Sequence, residues 1–346
     1  MFDYQSTFAG AELGLKVAVA GKTDRGLVRS GNEDNLRIDF DRNLFLVCDG
    51  MGGHLAGEVA SREACEIINH CFTGLSEEIL NDSVLAIPAK FPPTGDLLVK
   101  AIRIANRSIY IKSRSRSDYA GMGTTVVAAV LEDDIINIAH VGDSRAYLLN
   151  GERLVPLTMD HSWISELEQS GKYSKEEAAQ LVNRNIITRA LGIHETIEID
   201  YRAYRAKPGD IYILCSDGLC GYADDNEIFA VAKNCGNDVN MIVDTLIQMA
   251  NDRGGTDNVT VIAIRIDEVE SSGRLEEITP VTISAEGDDT VLRENQVIES
   301  IARLEEDKQK AILKSESRTR ASGFPILVAI LLIVIALVVI YYLFSK

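Results

Sequence analysis

The sequence predicts a mixed α/β sandwich, because strand-like and helix-like segments alternate from Lys16 to about Asp267 without a low-complexity break. Several strand-like segments lie close enough for hairpin connections, and no internal repeat is visible. With 346 residues, of which 46% are hydrophobic and 25% charged, the chain can bury a sizeable core. We therefore expect one large domain with appendages.

Apolar runs predict the strands, and apolar residues spaced three or four positions apart predict the helices. The strand-like runs are 44–48, 124–131, 135–141, 211–215 and 259–264. The helix-like stretches are 60–71, 98–109 and 242–250. We assign residues 15–267 to the folded domain, and residues 1–14, which lack a clear period, to an N-terminal lead-in.

Residues 268–320 have a different composition and predict a linker that is first acidic and then basic. The part from Glu268 to Asp307 holds 12 acidic and 3 basic residues and few large apolar ones, which is typical of an extended, largely disordered segment. Its end has helical spacing with favourable i,i+4 charge pairs.

Residues 321–346 predict a transmembrane helix with a short tail. The 24 residues from Ala321 to Phe344 carry no charge, and a spanning helix needs ~20 apolar residues. A buried core helix is the alternative, although such a helix is normally shorter and amphipathic. Basic residues cluster on the N-terminal side of this segment, so the positive-inside rule predicts a single-pass membrane protein with a cytoplasmic domain.

The net charge excludes one class of partner. Thirty-five basic and 52 acidic residues give a formal charge of −17, which repels a phosphate backbone and argues against nucleic-acid binding. The six cysteines show no zinc-type spacing, so a reducing compartment is the simpler interpretation.

Carboxylates gather at the ends of apolar strands. Asp49, Asp143 and Asp217 each follow such a run, Asp257 precedes another, and the pair Glu33-Asp34 lies nearby in the chain. One Asp-Gly step could be an ordinary tight turn, but several on buried strands are costly unless paired or bound to a metal. Oxygen donors favour Mg²⁺ or Mn²⁺ over zinc, and two such ions can activate water for in-line attack on a phosphoester.

Seven motifs occur in a specific order, and through them the chain from Val17 to Ile266 resembles one family. They are Thr23–Gly26, Arg29–Asp34, Asp49–His54, Gly121–Thr125, Val141–Arg145, Ser216–Leu219 and Gly254–Asn258. The family is that of the PPM metal-dependent Ser/Thr protein phosphatases, type 2C, in their bacterial form. The resemblance implies an α+β fold, a four-layer α-β-β-α sandwich of two antiparallel sheets flanked by helices.

The resemblance also implies a two-metal core. Asp49 would bridge the two ions and Gly50 would contribute its carbonyl oxygen. Asp217 and Asp257 would complete the ligand set of one ion, and Glu33 would hold the other ion, partly through water. The ions would be Mn²⁺ or Mg²⁺, and the water between them would attack the phosphate.

Three further residues take roles from the resemblance. Asp34 would support the metal site as a nearby carboxylate, and Asp143 would help to hold a weaker third ion. Arg29 would bind the substrate phosphate, unless it is only a charged surface residue. Family members often have an Asp at the position of Gly221, which makes third-metal binding a point to test.

Two histidines need separate interpretation. His54 follows the Asp-Gly step and is similar to the family's proposed general acid for the leaving alkoxide; the alternative is that it only anchors the following helix. His161 opens a segment, up to about Arg189, that resembles the family's flap, and a structural role is expected for it.

The predicted function is a membrane-anchored phosphatase that acts on phosphoserine and phosphothreonine in proteins, among them a membrane Ser/Thr kinase and its targets. The alternative is a catalytically inactive regulator that binds phosphoproteins at the membrane. Inactive relatives usually lose metal carboxylates, whereas this chain retains Glu33, Asp49, Asp217 and Asp257.

Overall fold

The computed structural model describes residues 3–9, 15–52, 55–82, 84–85, 91–181, 186–269, 278–283, 293–304, 306 and 310. His54 and the predicted anchor at 321–346 lie outside these residues. Among the described residues there is no helix that is both long and apolar enough to cross a membrane. The chain divides into two compact units, residues 1–295 and 296–346. The first unit contains both sheets and all the predicted site residues.

The described residues of this unit up to residue 283 form thirteen strands and eight α-helices, with one short 3-10 helix at Ser117–Tyr119. The strands are β1 (Asp3–Ala9), β2 (Lys16–Asp24), β3 (Asp34–Asp39), β4 (Leu44–Met51), β5 (Gly123–Thr124), β6 (Val126–Glu132), β7 (Ile135–Val141), β8 (Arg145–Leu149), β9 (Leu154–Pro156), β10 (Ile199–Arg205), β11 (Ile211–Cys215), β12 (Val259–Glu268) and β13 (Ile278–Ile283). The helices are α1 (Leu55–Thr73), α2 (Ser76–Leu80), α3 (Pro93–Ser115), α4 (Trp163–Gln169), α5 (Lys175–Leu181), α6 (Asp217–Cys220), α7 (Asp225–Asn234) and α8 (Val239–Asp252).

The strands form two sheets, and every pairing in them is antiparallel. The first sheet has the order β1-β2-β12-β11-β8-β9. The second has the order β13-β10-β7-β6-β4-β3, with β5 paired to β4. Strands that follow one another in the sequence are often neighbours in a sheet, as the short connections predicted. In contrast, the pairing of β2 with β12 joins the N-terminal and C-terminal parts of the domain.

Alternation of side chains along the first sheet produces two apolar layers. In β2, Val17 and Val19 face the cluster shared with the second sheet, whereas Ala18 and Ala20 face the cluster formed with α7 and α8. Strands β11 and β12 alternate in the same way, because successive side chains of a strand point to opposite faces. The sheets therefore pack on one another, with helices outside.

The second sheet is covered by α1 and α3, which pack against β4 and β6, while α8 packs against β2 and β12. This confirms the expected α+β fold of two antiparallel sheets flanked by helices. All five predicted strand runs and all three predicted helical stretches fall on observed elements. Helices α2, α4, α5, α6 and α7 were not predicted, and the first four are too short to show a period.

Part of the segment that was predicted to be a disordered linker is a strand. Residues 278–283, which the composition assigned to a largely disordered segment, form β13 and extend the second sheet by pairing with β10. Arg293 forms ion pairs with Glu78 and Asp82, and Glu294 is buried. A run such as Ile278–Ile283 buries little by itself, and it becomes a strand because the exposed edge of β10 offers it backbone partners.

Candidate active site

Asp49 lies near the C-terminal end of strand β4, and Thr125 fixes its backbone. The Asp49 N–H donates to Thr125 Oγ1 at 3.0 Å, and the Asp49 carbonyl accepts from the Thr125 N–H at 2.8 Å. The hydroxyl of Thr124 donates to the same carbonyl at 2.8 Å. Main-chain and side-chain bonds together leave the Asp49 backbone little freedom.

Gly50 allows three segments to meet at one point. A Cβ atom at Gly50 would lie 2.1 Å from the Gly57 carbonyl oxygen and 2.6 Å from that of Glu33. The Gly50 N–H donates to the Glu33 carbonyl at 3.1 Å, and Ser61 Oγ donates to it at 2.6 Å. The Glu33 carboxylate lies against Gly57 at the start of α1. Glycine at both positions thus lets Glu33 approach β4.

Asp34 is buried and is the register partner of Asp49 across β3 and β4. Its Oδ2 accepts hydrogen bonds from the hydroxyls of Ser216 and Thr260, both at 2.7 Å. Its Oδ1 has no hydrogen-bond partner among the residues that the structure describes. Burial, reinforced by the negative charges of Asp217 and Asp257, raises the pKa of Asp34 to about 7.

Asp217 begins α6, directly after β11. A Cβ atom at Gly218 would lie 1.8 Å from the Asn258 carbonyl oxygen, so glycine lets α6 pack on the loop that carries Asp257. Burial raises the pKa of Asp217, and the charge of Asp257 adds to the effect. Two strand ends thereby bring two carboxylates together.

Asn258 ties the Arg25–Glu33 loop to this centre. Its Nδ2 donates to the carbonyls of Arg25 and Gly31, both at 2.9 Å, and its Oδ1 accepts from the Glu33 N–H at 2.8 Å. An amide supplies both donors and an acceptor, so one side chain can hold both ends of the loop.

Asp143 follows a turn at the end of β7 that requires glycine. Gly142 has φ +106°, and a Cβ atom there would lie 2.6 Å from the Thr125 side chain. Ser144 Oγ and Thr125 Oγ1 are 2.7 Å apart. Asp143 Oδ1 has no partner within the described residues, and burial together with the charge of Asp217 raises the pKa of Asp143 to about 7.

The carboxylates crowd one another. The side chains of Asp49 and Asp217 lie within hydrogen-bonding reach. Burial and the charges of Asp34, Asp217 and Asp143 raise the pKa of Asp49 well above its ordinary value. Partnerless carboxylate oxygens and an oxygen-only donor set fit a hard divalent cation, which would replace repulsion by attraction.

A model of the protein phosphatase 2C family matches residues 28–258 of this sequence. The chain belongs to the protein phosphatase 2C family. Over 249 residues it is 36% identical to the Ser/Thr phosphatase stp of Listeria monocytogenes serotype 4b, covering 71% of this chain and 94% of that protein. Over 285 residues it is 34% identical to the Ser/Thr protein phosphatase PstP of Mycobacterium tuberculosis, covering 82% of this chain and 51% of that protein.

Solved structures agree with this assignment. The catalytic domain of PstP, in complex with two manganese ions, matches with a TM-score of 0.61 and 33% identity, covering 72% of this chain and 98% of that one. The chain is therefore a metal-dependent protein Ser/Thr phosphatase, as the sequence predicted. The two-metal site that takes Mn²⁺ or Mg²⁺ is the family's cofactor site.

The structure of this phosphatase brings most predicted site residues together. Asp34, Asp49, Asp143, Asp217 and Asp257 interact electrostatically, and Glu33 and Gly50 meet through backbone hydrogen bonds. Arg29 joins them, because its Nη2 donates to Asp257 Oδ2 at 2.7 Å while 49% of its side chain stays exposed.

His161 is buried and lies at the root of the flap-like segment that contains α4 and α5. Its Nδ1 accepts from the Gly142 N–H at 3.1 Å, and its ring stacks on His140 with centroids 4.6 Å apart. Its contacts agree with the structural role expected for it. His54 lies outside the described residues, so its role as general acid stays a prediction.

Sequence reasoning missed the groups that position the carboxylates. They are Thr125, Ser216, Asn258 and Thr260, and a further residue, Asp200, contacts His161 at the flap root. The first three lie inside recognised motifs, so their position was a signal, although nothing in the spacing showed what they bind. Thr260 and Asp200 lie on ordinary strands and gave no signal.

Proposed function

We propose that this phosphatase hydrolyses phosphoserine and phosphothreonine in proteins with two Mn²⁺ or Mg²⁺ ions in its carboxylate cluster. Asp49, the Gly50 carbonyl, Glu33, Asp217 and Asp257 would hold the ions. The observation that carries the proposal is the mutual crowding of buried and partly buried carboxyl groups, above all Asp49 against Asp217. Such an arrangement is unfavourable for the folded protein unless cations compensate it.

The chain's own residues would orient the reaction. When bound, the two ions supply Lewis-acid stabilisation of the phosphoryl group and lower the pKa of water. Arg29 is held in place by Asp257, and its remaining N–H donors would bind the phosphate oxygens of the substrate. Thr125 keeps Asp49 in a fixed position, so little reorganisation is needed when substrate binds.

Two finer assignments belong to the same proposal. His54 would donate a proton to the departing serine or threonine oxygen, since an imidazole titrates near neutral pH. Asp143, with its partnerless Oδ1, would help to hold a weaker third ion. Gly221 has no side-chain oxygen to offer, so we expect the third ion to bind weakly.

The test is turnover of a phosphothreonine peptide by the full chain with Mn²⁺, with Mg²⁺ and with chelator. Asp49→Asn is expected to abolish metal-dependent turnover, since Asp49 would help to hold both ions and a neutral amide is a poorer ligand than a carboxylate for a hard divalent cation. The matched control is Asp133→Asn at the exposed tip of the β6–β7 hairpin, where φ is +52° and asparagine fits. A folded wild-type protein that binds phosphopeptides without turnover in any metal would instead support the inactive-regulator alternative.

We further propose that residues 321–346 anchor the enzyme in the cell membrane with its domain in the cytoplasm. The uncharged 24-residue stretch and the basic residues before it support this. Tethering raises the effective concentration near membrane-bound substrates. Substrates would therefore include a membrane Ser/Thr kinase and its targets.

Deletion of residues 321–346 tests the anchor. Turnover of a soluble phosphopeptide should be unchanged, whereas dephosphorylation of a membrane kinase in cells should slow. Cell fractionation should find the full chain with membranes and the deleted form in the soluble fraction. Equal fractionation of both forms would contradict the anchor.

A further inference from the structure

His161 connects the flap root to the turn that carries Asp143. Its Nδ1 accepts from the Gly142 N–H at 3.1 Å, and its own backbone N–H donates to the Gly142 carbonyl at 2.9 Å. Because Nδ1 is an acceptor here, the ring proton must lie on Nε2. The orientation of the Gly142–Asp143 turn therefore depends on the orientation and tautomer of one buried ring.

Asp200 sets that tautomer. Its Oδ2 lies 3.3 Å from His161 Nε2, and its Oδ1 is also 3.3 Å from Arg189 Nη1. A carboxylate facing Nε2 favours the proton on that nitrogen, in the way that an acidic partner orients catalytic or metal-binding histidines. Arg189 Nη1 is also 3.4 Å from His161 Nε2. A guanidinium can only donate, and the stronger acceptor for Arg189 is the ionised carboxylate of Asp200. Asp200 lies on β10, in the second sheet.

Thr282 of β13 holds Asp200 from the other side. Its Oγ1 donates to Asp200 Oδ1 at 2.8 Å, and β13 pairs with β10 so that Thr282 is opposite Asp200. Partial burial raises the pKa of Asp200, but the hydrogen bonds from His161 and Thr282 outweigh it and hold the pKa below its ordinary value. The carboxylate is thus an ionised acceptor for three donors, His161, Thr282 and Arg189.

Strand β13 lies beyond the residues that the family model matches, which end at 258. It belongs to the segment between the catalytic core and the proposed anchor. A hydrogen-bond path consequently runs from this segment through β10 and the flap root to the edge of the carboxylate cluster.

We infer that Thr282 is a positioning residue for the Asp143 turn, acting through Asp200 and His161. The inference rests on the proposed function, because it assigns the turn a role in holding the third ion. The hydroxyl of Thr282 orients Asp200, Asp200 orients His161, and His161 holds the Gly142 N–H. The C-terminal extension thereby contributes to metal binding without touching substrate.

A metal ion bound by His140, His161 and Asp200 themselves is the competing interpretation, since one ligand atom of each lies within 4.8 Å of the others. The hydrogen bonds argue against it. Both ring nitrogens of His161 are engaged, and His140 Nε2 is 2.8 Å from the Met159 carbonyl. The group is better described as a hydrogen-bond path.

The experiment uses the full chain with Thr282→Val, which keeps the strand-forming shape but removes the hydroxyl. Thr282→Ser restores the hydroxyl, and Thr245→Val, at an exposed threonine of α8, is the matched control. Hydrogen exchange of the Gly142 amide is measured by mass spectrometry. Mn²⁺ binding is counted from the spin-resonance signal of free Mn²⁺, beside turnover at graded Mn²⁺ concentrations.

Thr282→Val is expected to exchange the Gly142 amide faster and to weaken the weakest Mn²⁺ site by about three- to tenfold, the factor that one hydrogen bond supplies. The tighter Mn²⁺ sites of Thr282→Val should be unaffected. The variants Thr282→Ser and Thr245→Val should behave as wild type. Unchanged exchange, or equal impairment in Thr282→Val and Thr282→Ser, overturns the inference. Absence of metal-dependent turnover in the wild type would instead refute the proposed function, and the exchange result would still decide the path.

Discussion

At the scale of single residues, hydroxyl and amide groups determine where the acidic side chains of this phosphatase lie. Asp34 is held by two hydroxyls, Asp49 by the backbone and hydroxyl of Thr125, and the Glu33 N–H by an asparagine. Each of these groups is neutral, so it directs a carboxylate without neutralising it. Apart from the ion pair of Arg29 with Asp257, the negative charge of the cluster is left for the proposed metal ions.

Thr125→Val should separate positioning from charge. It removes the acceptor of the Asp49 N–H and the partner of Ser144, both in a buried region. We expect the free energy of unfolding to fall by about 1–3 kcal/mol, because a buried donor loses its partner, and turnover to fall by about ten- to a hundredfold, because Asp49 shifts. Chemical denaturation and peptide kinetics measure both.

Thr125→Ser is the control, since it retains the hydroxyl. It should recover most of the stability and turnover. Wild-type kinetics in Thr125→Val would show that the hydroxyl does not position Asp49.

His140 predicts a pH dependence of stability. Burial, with the stacked His161 ring adding to the effect, lowers the pKa of His140 to about 4 from 6.5. Below pH 6.5 the His140 imidazole therefore binds a proton in the unfolded chain, whereas in the native chain it stays neutral until the pH approaches about 4. The contribution of His140 to the free energy of unfolding is therefore fully present above pH 6.5. It is lost as the pH falls towards about 4, by roughly 3 kcal/mol in all.

His140→Gln should remove this component and flatten the curve of unfolding free energy between pH 6.5 and 4. His194→Gln, at an exposed position, should keep the wild-type slope. The prediction fails if both variants follow the wild-type curve.

At the scale of elements, glycines decide how closely the parts of the site approach. The junction of β4 and α1 is the clearest case, because the Glu33 backbone and the first turn of α1 both press on Gly50. The same holds for Gly218 between α6 and the Asn258 loop. Composition cannot reveal such contacts, since a glycine in a tight turn and a glycine under a helix look alike in sequence.

Gly50→Ala should therefore disrupt the site. Its Cβ would lie 2.1 Å from a backbone oxygen, so α1 or β4 must move. We expect a loss of at least about 3 kcal/mol in the free energy of unfolding, at the upper end for single substitutions, and loss of metal-dependent turnover.

Gly31→Ala is the matched control, because no atom lies within 4 Å of the point that an alanine Cβ would occupy there, and its φ is not in the left-handed region. Its stability should stay within about 0.5 kcal/mol of wild type. Thermal and chemical unfolding compare the two variants.

At the scale of the whole molecule, the compact unit extends to residue 295, beyond the composition boundary at 267. Strand β13 covers the edge of β10, and Arg293 pairs with Glu78 and Asp82. An uncovered edge strand exposes backbone groups that invite aggregation. The acidic segment is thus partly structural.

A fragment of residues 1–295 should fold and keep metal-dependent turnover, whereas residues 1–267 should unfold at a temperature lower by several degrees. Loss of about 1 kcal/mol lowers the midpoint by roughly 2–4 °C in a domain of this size. Calorimetry and light scattering compare the fragments. Identical midpoints would mean that β13 adds nothing to stability.

The sequence by itself determined the main strands and helices of the core and the set of candidate metal-binding carboxylates. Alternation and apolar runs depend on local geometry, and Asp49, Asp217 and Asp257 sit beside strands that must be buried wherever the sheets pack. The order of the motifs added the family. These are properties that a chain carries along its length.

Only the tertiary structure decided which neutral groups hold those carboxylates and where the C-terminal strand pairs. Thr260 and Asp34 are far apart in sequence, as are Thr282 and Asp200, and nothing local marks them as partners. Hydrogen bonds between distant residues require the packed sheets to bring donor and acceptor within about 3 Å. For that reason, the acidic residues of the candidate site could be predicted from the sequence, while the groups that support them could not.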